Sequence, residues 1–233
     1  MLSIKIGGAE RFSLVDYPDK IAAVLFLQGC PWRCPFCYNT HLQNSKAVEQ
    51  IDTEAFFSFL EKRKGKLDAV VFSGGEPLLQ VGLPEAVKKA KELGFYVGLH
   101  TGGFNPEAFA EVLPLVDWVG FEIKAPFDEK HYQRATGSQT PLENILKSLD
   151  TLIKSGKNFE TRTTCDPRLL SRDDIYAIAD NLKARGVTNY HLQKYRPIPS
   201  DTESTEEMCN SFFADKKLIS YLKETFKIFD TRM

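Results

Sequence analysis

The sequence predicts an α/β protein in which parallel strands alternate with helices to form a curved sheet or an open barrel. Six strand-like runs are separated by helical patterns, and this alternation is typical of parallel strands joined by right-handed crossovers. Four of the later strands also place polar or charged residues on one face, where a sealed core would be costly without partners. The two observations predict helices on the apolar face of the sheet and a polar cavity on the other.

The predicted elements occupy nearly all of the 233 residues. Gly94, Gly156 and Gly186 lie just past three of the helical patterns and are typical stop signals. No charge block or low-complexity segment interrupts the chain, so residues 1–233 are predicted to form a single domain, with an N-terminal extension (1–20) and a C-terminal loop and helix (198–233). The strand runs are IAAVLFLQ, LDAVVFSG, GFYVGLH, DWVGFEIKA, NFETRTTC and NYHLQKY, and the helical patterns are DTEAFFSFLEKRK, LPEAVKKAKELG, NPEAFAEVL, PLENILKSLDTLIKSG, RDDIYAIADNLKARG and DKKLISYLKETFKIF.

The polar faces follow from the alternation of side chains along a strand. In FEIK, for example, Glu122 and Lys124 oppose Phe121 and Ile123. A polar ligand is expected to bind where such faces meet. The other polar faces comprise Tyr96, Gly98 and His100; Glu160, Arg162 and Thr164; and His191, Gln193 and Tyr195.

Composition excludes several classes of protein. Hydrophobic residues make up 42% and charged residues 26%, which is ordinary for a globular protein. A formal net charge of −1 provides no long-range attraction to nucleic acid or to an anionic membrane, so neither is an expected partner. The chain start lacks the pattern of a signal peptide, and no apolar run approaches the roughly 20 residues needed to span a bilayer. Five cysteines, three of them clustered, do not suggest a disulfide framework, so a reducing cytoplasm is expected.

The stretch QGCPWRCPFCYNT carries Cys30, Cys34 and Cys37 as C-x3-C-x2-C directly after the first predicted strand. Binding sites of β/α barrels gather at this carboxyl edge of the sheet. Three thiolates can hold three irons of a cubane cluster and leave the fourth iron open to a ligand, with Phe36 shielding the cluster or offering a stacking face. The same thiolates with His41 could instead form a Cys3His zinc site, and this stretch alone leaves both open.

A second motif, Gly74-Gly75-Glu76-Pro77, follows the second predicted strand at the same edge. Two glycines let the backbone approach a ligand closely, and Glu76 can accept hydrogen bonds from an ammonium group. Taken alone, the motif is typical of a strand-to-helix connection in which proline opens the helix. Its occurrence one strand after the cysteine motif makes the combination of the two motifs a specific signal.

Together, C-x3-C-x-aromatic-C and the following GGEP resemble the radical S-adenosylmethionine (SAM) superfamily. The segments FSLVDYPDKIAAVLFLQGCPWRCPFCYN and DWVGFEIKAP are similar to anaerobic ribonucleotide reductase activating proteins, which are glycyl-radical-enzyme activases. The resemblance implies a partial six-stranded parallel (β/α)6 barrel of the radical SAM type. It also implies a [4Fe–4S] cluster on Cys30, Cys34 and Cys37, with SAM on the open iron.

The resemblance places further residues near SAM. Gly74, Gly75 and Glu76 are expected near its methionine ammonium. His100 and Thr101 stand where other activases carry an Asp-Thr-Asn-Gly stretch that holds SAM, so His100 replaces an acid.

On the next strand, Glu122 and Lys124 match an Asp-x-Lys stretch of other activases, with Glu122 one methylene longer than the usual residue. Lys124 offers a cation to the SAM carboxylate. Arg162 and Arg196 are further candidates for that contact.

The resemblance implies that reduced flavodoxin or ferredoxin supplies an electron to the cluster and that SAM is cleaved to methionine and a 5′-deoxyadenosyl radical. This radical would abstract hydrogen from a glycine of an anaerobic ribonucleotide reductase-type partner. Two alternatives remain: a radical SAM enzyme with a small-molecule substrate, such as a 7-carboxy-7-deazaguanine synthase, and a non-catalytic module that binds zinc or an iron–sulfur cluster. Cys165 and Cys209 are expected to be ordinary thiols, and the acidic DTESTEE stretch is expected to be a solvated loop.

Overall fold

The frame of the protein is a mostly parallel sheet whose strands follow one another in chain order, from β1 to β8. The structure is a computed structural model, and it describes residues 3–199 and 201–233. The strands are β1 (Ile6–Ser13), β2 (Ala22–Leu27), β3 (Ala69–Gly74), β4 (Tyr96–Thr101), β5 (Trp118–Glu122), β6 (Asn158–Cys165), β7 (Asn189–Lys194) and β8 (Ile228–Arg232).

Helices connect most of these strands, and six of the described helices begin at a residue whose side chain caps the first turn. Asp52, Asn105 and Ser171 each accept a backbone N–H of the first helical turn. No helix in the described part of the chain is both long and apolar enough to cross a membrane. The helices are α1 (Thr53–Glu61), α2 (Leu83–Glu92), α3 (Pro106–Val112), α4 (Glu129–Thr136), α5 (Leu142–Lys154), α6 (Arg172–Ala184), α7 (Glu206–Ala214) and α8 (Lys216–Thr225).

The predicted α/β class is confirmed, and all six predicted strands are present as β2 to β7. Two strands were not predicted: β1, which is antiparallel to β2, and β8, which is parallel to β7. β1 contains two glycines and three polar residues, so it lacks a strand pattern. β8 lies where the apolar stripe of the last predicted helix continues, but α8 ends at Thr225 because Phe226 adopts an extended backbone, with φ −112° and ψ 142°.

The predicted helix ends are confirmed by backbone geometry. Gly94, Gly156 and Gly186 all have positive φ, at 92°, 68° and 82°. The sequence predictions did not include α4 (EKHYQRAT), which carries few apolar residues, or α7 (EEMCNSFFA), whose first turn lies in the acidic stretch. Both helices begin at side-chain caps, Asp128 and Thr205. The DTESTEE stretch, which was predicted to be a solvated loop, therefore contains the cap and the first residues of α7.

The chain divides into two compact units. Unit 1 comprises the described part of Met1–Pro31, with Asn39–Gly120 and Asn144–Asn158. Unit 2 comprises Trp32–Tyr38, Phe121–Glu143 and the described part of Phe159–Met233.

Within unit 1, β2, β3 and β4 bury both faces. Leu25, Phe72 and Leu99 lie side by side in register on one face, where α2 packs against β4. On the opposite face a small core is closed by Tyr17 from the segment before β2, which lies against Trp118. Its members are Tyr17, Ala22, Val24, Ala69, Val71 and Trp118.

Within unit 2, β6, β7 and β8 are parallel, with Arg162 opposite His191 and His191 opposite Asp230. Tyr190 of β7 packs against Phe226, with ring centroids 5.0 Å apart. This aromatic contact explains why the chain leaves the helical conformation after α8, since the extended Phe226 buries its ring against the sheet.

Candidate functional site

In unit 1 the glycine motif lies against the backbone that carries the first cysteine. The N–H of Gly75 donates to the carbonyl of Leu27, and the N–H of Glu76 donates to the carbonyl of Gly29, both at 2.9 Å. A Cβ on Gly75 would lie 2.0 Å from the Gly29 carbonyl oxygen and 3.3 Å from Cys30 Cβ. Only glycine therefore fits here, and the turn after β3 is held directly beside Cys30.

Gly74 is required for a second reason. Its φ is 115°, and a Cβ there would lie 2.2 Å from the Leu27 nitrogen. Both glycines thus serve close backbone approach, as the motif predicts.

The segment after the cysteine motif is tied back to β2 by Gln28, which the sequence reading did not single out. Its side-chain amide donates to the carbonyls of His41 and Asn44 at 3.1 and 2.9 Å. The N–H of Cys30 donates to the carbonyl of Gln43 at 3.2 Å. These contacts fix the backbone of Cys30, whereas the side chain of His41 is exposed.

Glu76 is 1% exposed, and its carboxylate joins the ends of β3 and β4. Oε1 accepts hydrogen bonds from the N–H of Leu78 at 3.1 Å and from the hydroxyl of Thr101 at 2.6 Å. Oε2 accepts from the N–H of Gly102 at 2.9 Å. Glu76 and Thr101 are therefore brought together, and contact of Glu76 with the ammonium of SAM stays a prediction.

His100 is buried on the face of β4 that also holds the small core of unit 1. Its Nε2 lies 2.9 Å from the carbonyl oxygen of Asp16, and its ring meets Trp118 edge-on at 5.5 Å. The N-terminal segment therefore orients His100, while its predicted role near SAM stays a prediction.

In unit 2 the cysteine loop (residues 32–38) is held by α4. The N–H of Arg33 donates to the carbonyl of Thr136 at 2.7 Å, and the N–H of Cys37 donates to the carbonyl of Cys34 at 3.1 Å. A Cβ on Gly137 would lie 2.8 Å from the Arg33 carbonyl oxygen, so the glycine that ends α4 also permits this approach. Burial raises the pKa of the Cys34 thiol, and the nearby Lys124 ammonium acts in the opposite sense.

Lys124 lies between two aromatic rings of the same loop. Its Nζ is 5.1 Å from the ring centroid of Trp32 and 5.5 Å from that of Phe36. The indole N–H of Trp32 donates to the hydroxyl of Thr140 at 3.3 Å, which fixes the ring. The loop that carries Cys34 and Cys37 thus forms an aromatic cradle for a cation.

The polar face of β5 and β6 is internally paired. Arg162 Nε donates to Glu122 Oε2 at 2.9 Å, with both side chains 15% exposed. The hydroxyl of Thr164 donates to the other oxygen of Glu122 at 3.1 Å. Glu122, Arg162 and Thr164 of the predicted polar face are thus brought together and bind one another. Lys124, predicted on the same face, lies against the cysteine loop instead.

The same face continues to β8. Glu160 binds Arg232 through both oxygens, at 2.7 and 2.8 Å, and the imidazole of His191 lies 3.5 Å from Glu160. Burial lowers the pKa of His191, which favours the neutral ring despite the nearby carboxylate.

A second charged group in unit 2 was not expected from the sequence. Arg168 contacts Asp166, Asp201 and Tyr195.

Arg196, which the sequence predicts near SAM, is exposed, and its guanidinium donates to the carbonyl oxygen of Met233 at 2.6 Å. Contact of Arg196 with the SAM carboxylate stays a prediction.

In residues 3–199 and 201–233, no three side chains of His, Cys, Asp or Glu are already gathered in a metal-binding group. The predicted ligation by Cys30, Cys34 and Cys37 therefore stays a prediction. Its support is chemical, since three thiolates in this spacing suit three irons of a cluster.

The cysteine motif and the glycine motif both lie within the match to one protein family. The sequence model of the Radical SAM superfamily matches residues 24–169, which include the cysteine loop, the glycine motif and β6. The chain belongs to the radical SAM superfamily. The alternative of a non-catalytic zinc or iron–sulfur module is thereby set aside, and the cofactors of this radical SAM enzyme are a [4Fe–4S] cluster and SAM.

Relatives refine the family. The chain is 34% identical over 212 residues to MJ1227 of Methanocaldococcus jannaschii, which is named as a glycyl-radical enzyme activating enzyme; the match covers 87% of this chain and 85% of the relative. It is 30% identical over 240 residues to the pyruvate formate-lyase-activating enzyme of Clostridium pasteurianum, covering 96% and 99%. The predicted activase family is confirmed, and the anaerobic ribonucleotide reductase type stays a prediction.

Solved structures show the same fold. SuiB of Streptococcus suis superposes with a TM-score of 0.68 at 13% identity, over 88% of this chain and 46% of SuiB, so this radical SAM enzyme spans less than half of that protein. The structure of anSMEcpe with bound AdoMet superposes with a TM-score of 0.66 at 16% identity, over 87% of this chain and 61% of anSMEcpe. At these identities the likeness concerns the fold alone.

Proposed function

We propose that this radical SAM enzyme installs a glycyl radical on a partner protein of the anaerobic ribonucleotide reductase type. The observation that carries the proposal is the nearly full-length match to two relatives named for activating glycyl-radical enzymes or pyruvate formate-lyase. The ribonucleotide reductase type is supported by the segments around the cysteine motif and around DWVGFEIKAP. Reduced flavodoxin or ferredoxin in the cytoplasm is the proposed electron donor.

Cys30, Cys34 and Cys37 are the proposed cluster ligands. When bound, the cluster and SAM together supply a 5′-deoxyadenosyl radical that can remove hydrogen from a glycine α-carbon. The protein must hold both cofactors in place and keep water away from the radical. The close packing of Gly75 against the Gly29 carbonyl supports this role, because it leaves the backbone without side chains beside Cys30.

Charged side chains are proposed to orient SAM. Lys124 offers its ammonium to the SAM carboxylate, and the rings of Trp32 and Phe36 restrict where that ammonium can lie. Arg162 keeps its Nε on Glu122 and its Nη1 lies 3.8 Å from Glu160, so a contact with SAM would use Nη2. Within unit 1, Glu76 holds the turn after β3 against the end of β4.

The proposed substrate is a protein backbone, because the relatives that match most of this chain are named for activating other enzymes. A docked partner could complete the walls around the radical and so exclude water.

The test is an anaerobic incubation of the reconstituted, reduced enzyme and SAM with an anaerobic ribonucleotide reductase encoded in the same genome. Electron paramagnetic resonance should show a glycyl doublet, and air should then cleave the partner at that glycine. Formation of 5′-deoxyadenosine without partner is the control for SAM cleavage itself. Absence of a doublet with such partners, together with rapid turnover of a pterin-like small molecule, would favour the deazaguanine-type alternative.

A further inference from the structure

Arg168 is the centre of a charged group that none of the proposed roles uses. Its Nε donates to Asp166 Oδ1 at 3.0 Å and its Nη2 to Asp166 Oδ2 at 2.5 Å, while Nη1 lies 3.2 Å from Asp201 Oδ2. The Asp166 and Asp201 side chains are 0% exposed and Arg168 is 19% exposed. Burying such a group adds little net stability, because desolvation of the charges offsets their attraction. Stability alone therefore does not account for this group, and the other residues that Arg168 contacts indicate its role.

These contacts reach the cysteine loop on the amino side of Cys37. Arg168 Nη2 donates to the carbonyl oxygen of Pro35 at 3.4 Å and to the hydroxyl of Tyr195 at 3.0 Å. The guanidinium carbon lies 5.2 Å from the Tyr195 ring centroid. A single guanidinium thus contacts two carboxylates, one hydroxyl and one carbonyl of the cysteine loop, with the two hydrogens of Nη2 shared among Asp166, Tyr195 and Pro35. Only the planar five-donor fork of arginine reaches all four groups.

The carboxyl side of Cys37 is held by the same group. The ring of Tyr195 stacks on Tyr38 at a centroid distance of 6.1 Å. The hydroxyl of Tyr38 also accepts a hydrogen bond of 2.7 Å from the N–H of Arg196. Pro35 and Tyr38 are therefore both anchored, and Cys37 lies between them.

Asp201 extends the group to the segment after β7. It accepts a hydrogen bond of 2.8 Å from the hydroxyl of Tyr195, and its other oxygen accepts the N–H groups of Glu203 and Ser204 at 3.0 Å. Burial raises the pKa of Tyr195 to about 12, so its hydroxyl stays protonated and able to donate well above neutral pH. The segment after β7 is thus fixed to the group that holds the cysteine loop.

We infer that Arg168, Tyr195 and Asp201 form a clamp on the cysteine loop and that Arg168 is a positioning residue for the cluster ligand Cys37. The inference rests on the proposed ligation by Cys37. A ligand thiolate must move away before iron is lost, and anchoring the residues on both sides of it opposes that movement. The clamp therefore slows the loss of iron from the bound cluster.

The experiment follows the release of iron to a strong ferrous chelator from anaerobically reconstituted holoenzyme. Arg168→Gln should release iron at least about fivefold faster than the parent, the factor expected for losing the Pro35 hydrogen bond alone, since the variant also leaves Asp166 and Asp201 without their arginine. Arg168→Lys should lie between the two, because it keeps the charge but loses the fork. The matched control is Arg172→Gln, an arginine whose ion pair with Asp215 is surface-exposed and lies outside the clamp.

Two further measurements distinguish a change in the position of Cys37 from a general loss of stability in the Arg168 variants. Thermal unfolding of the cluster-free protein reports any general loss of stability, and the g values of the reduced cluster report its ligand geometry. Tyr195→Phe keeps the ring on Tyr38 but removes the hydroxyl between Arg168 and Asp201, so it tests the clamp even where Arg168→Gln does not fold. Faster iron release with altered g values supports the clamp.

Parental release rates and g values in both Arg168→Gln and Tyr195→Phe would overturn the clamp. A cluster retained in full by Cys37→Ser would instead overturn the ligation on which the clamp rests. The two failures are therefore distinguishable.

Discussion

The carboxylate of Glu76 and the hydroxyl of Thr101 lie 2.6 Å apart and join the turn after β3 to the end of β4. Glu76 also caps the short 3-10 turn Pro77–Leu79 through the N–H of Leu78. One buried side chain thus connects two strand ends at which the sequence predicts SAM contacts. We therefore expect the carboxylate of Glu76 to contribute to the stability of the fold.

Glu76→Gln is expected to destabilise the cluster-free protein by about 1–3 kcal/mol, because the amide would turn an N–H₂ group toward buried donors. Urea unfolding under anaerobic conditions measures the change. The matched control is Glu92→Gln at the exposed end of α2, which should unfold as the parent does. Parental stability of Glu76→Gln combined with weaker SAM binding would show that the carboxylate acts on SAM instead.

Lys124→Met is expected to weaken SAM binding by about 1.5–3 kcal/mol, the range for a hydrogen bond to a charged group. Trp32→Leu should weaken it by roughly 0.5–1 kcal/mol through loss of one ring of the cradle, and Trp32→Phe should restore most of the affinity. SAM titration of the reconstituted enzyme measures these changes, with cluster content as an internal check. The control is Lys130→Met on the exposed side of α4. Unchanged affinity in Lys124→Met would contradict the assignment of Lys124 to the SAM carboxylate.

Replacing Cys30, Cys34 or Cys37 by Ser is expected to remove most bound iron and the broad absorption at about 400 nm that thiolate-bound clusters show. Iron analysis and visible spectra of anaerobically purified protein measure both. Cys209→Ala is the control, since Cys209 lies on α7 and is not a proposed ligand. Stoichiometric zinc without a cluster in the parent protein would contradict the ligand assignment.

Arg232→Met is expected to destabilise the protein by about 2–3 kcal/mol, because it removes the bidentate partner of a buried carboxylate. Glu160 is 2% exposed and Arg232 33% exposed, so the effect should fall below that of a fully buried pair. Adding Glu160→Gln should recover much of the loss, since the uncompensated charge disappears. Arg172→Met, which breaks an exposed pair, should change the unfolding free energy by less than about 1 kcal/mol. Equal effects of the two arginine substitutions would contradict this account.

Local patterns in the sequence determined the strands, the cofactor motifs and the family. β2 to β7 are apolar or alternating runs bounded by turn residues, and their side-chain period is visible without any tertiary information. The cysteine spacing and the glycine turn are local as well, because they concern ligands and backbone conformations within a few residues. The same reasoning missed α4, which carries few apolar residues, and β8, whose apolar residues prolong a helical stripe.

Only the tertiary structure decided which side chains meet. Glu76 and Thr101 are 25 residues apart, and Arg168 and Pro35 are 133 residues apart. Such pairs depend on strand register and on where the connections return, which no local pattern encodes. Arg168 therefore carried no signal of its own in the sequence, since an arginine in a loop is ordinarily solvated. Its buried partners are Asp166, directly after β6, Tyr195, directly after β7, and Asp201 in the segment that follows, and folding alone brings them to the cysteine loop.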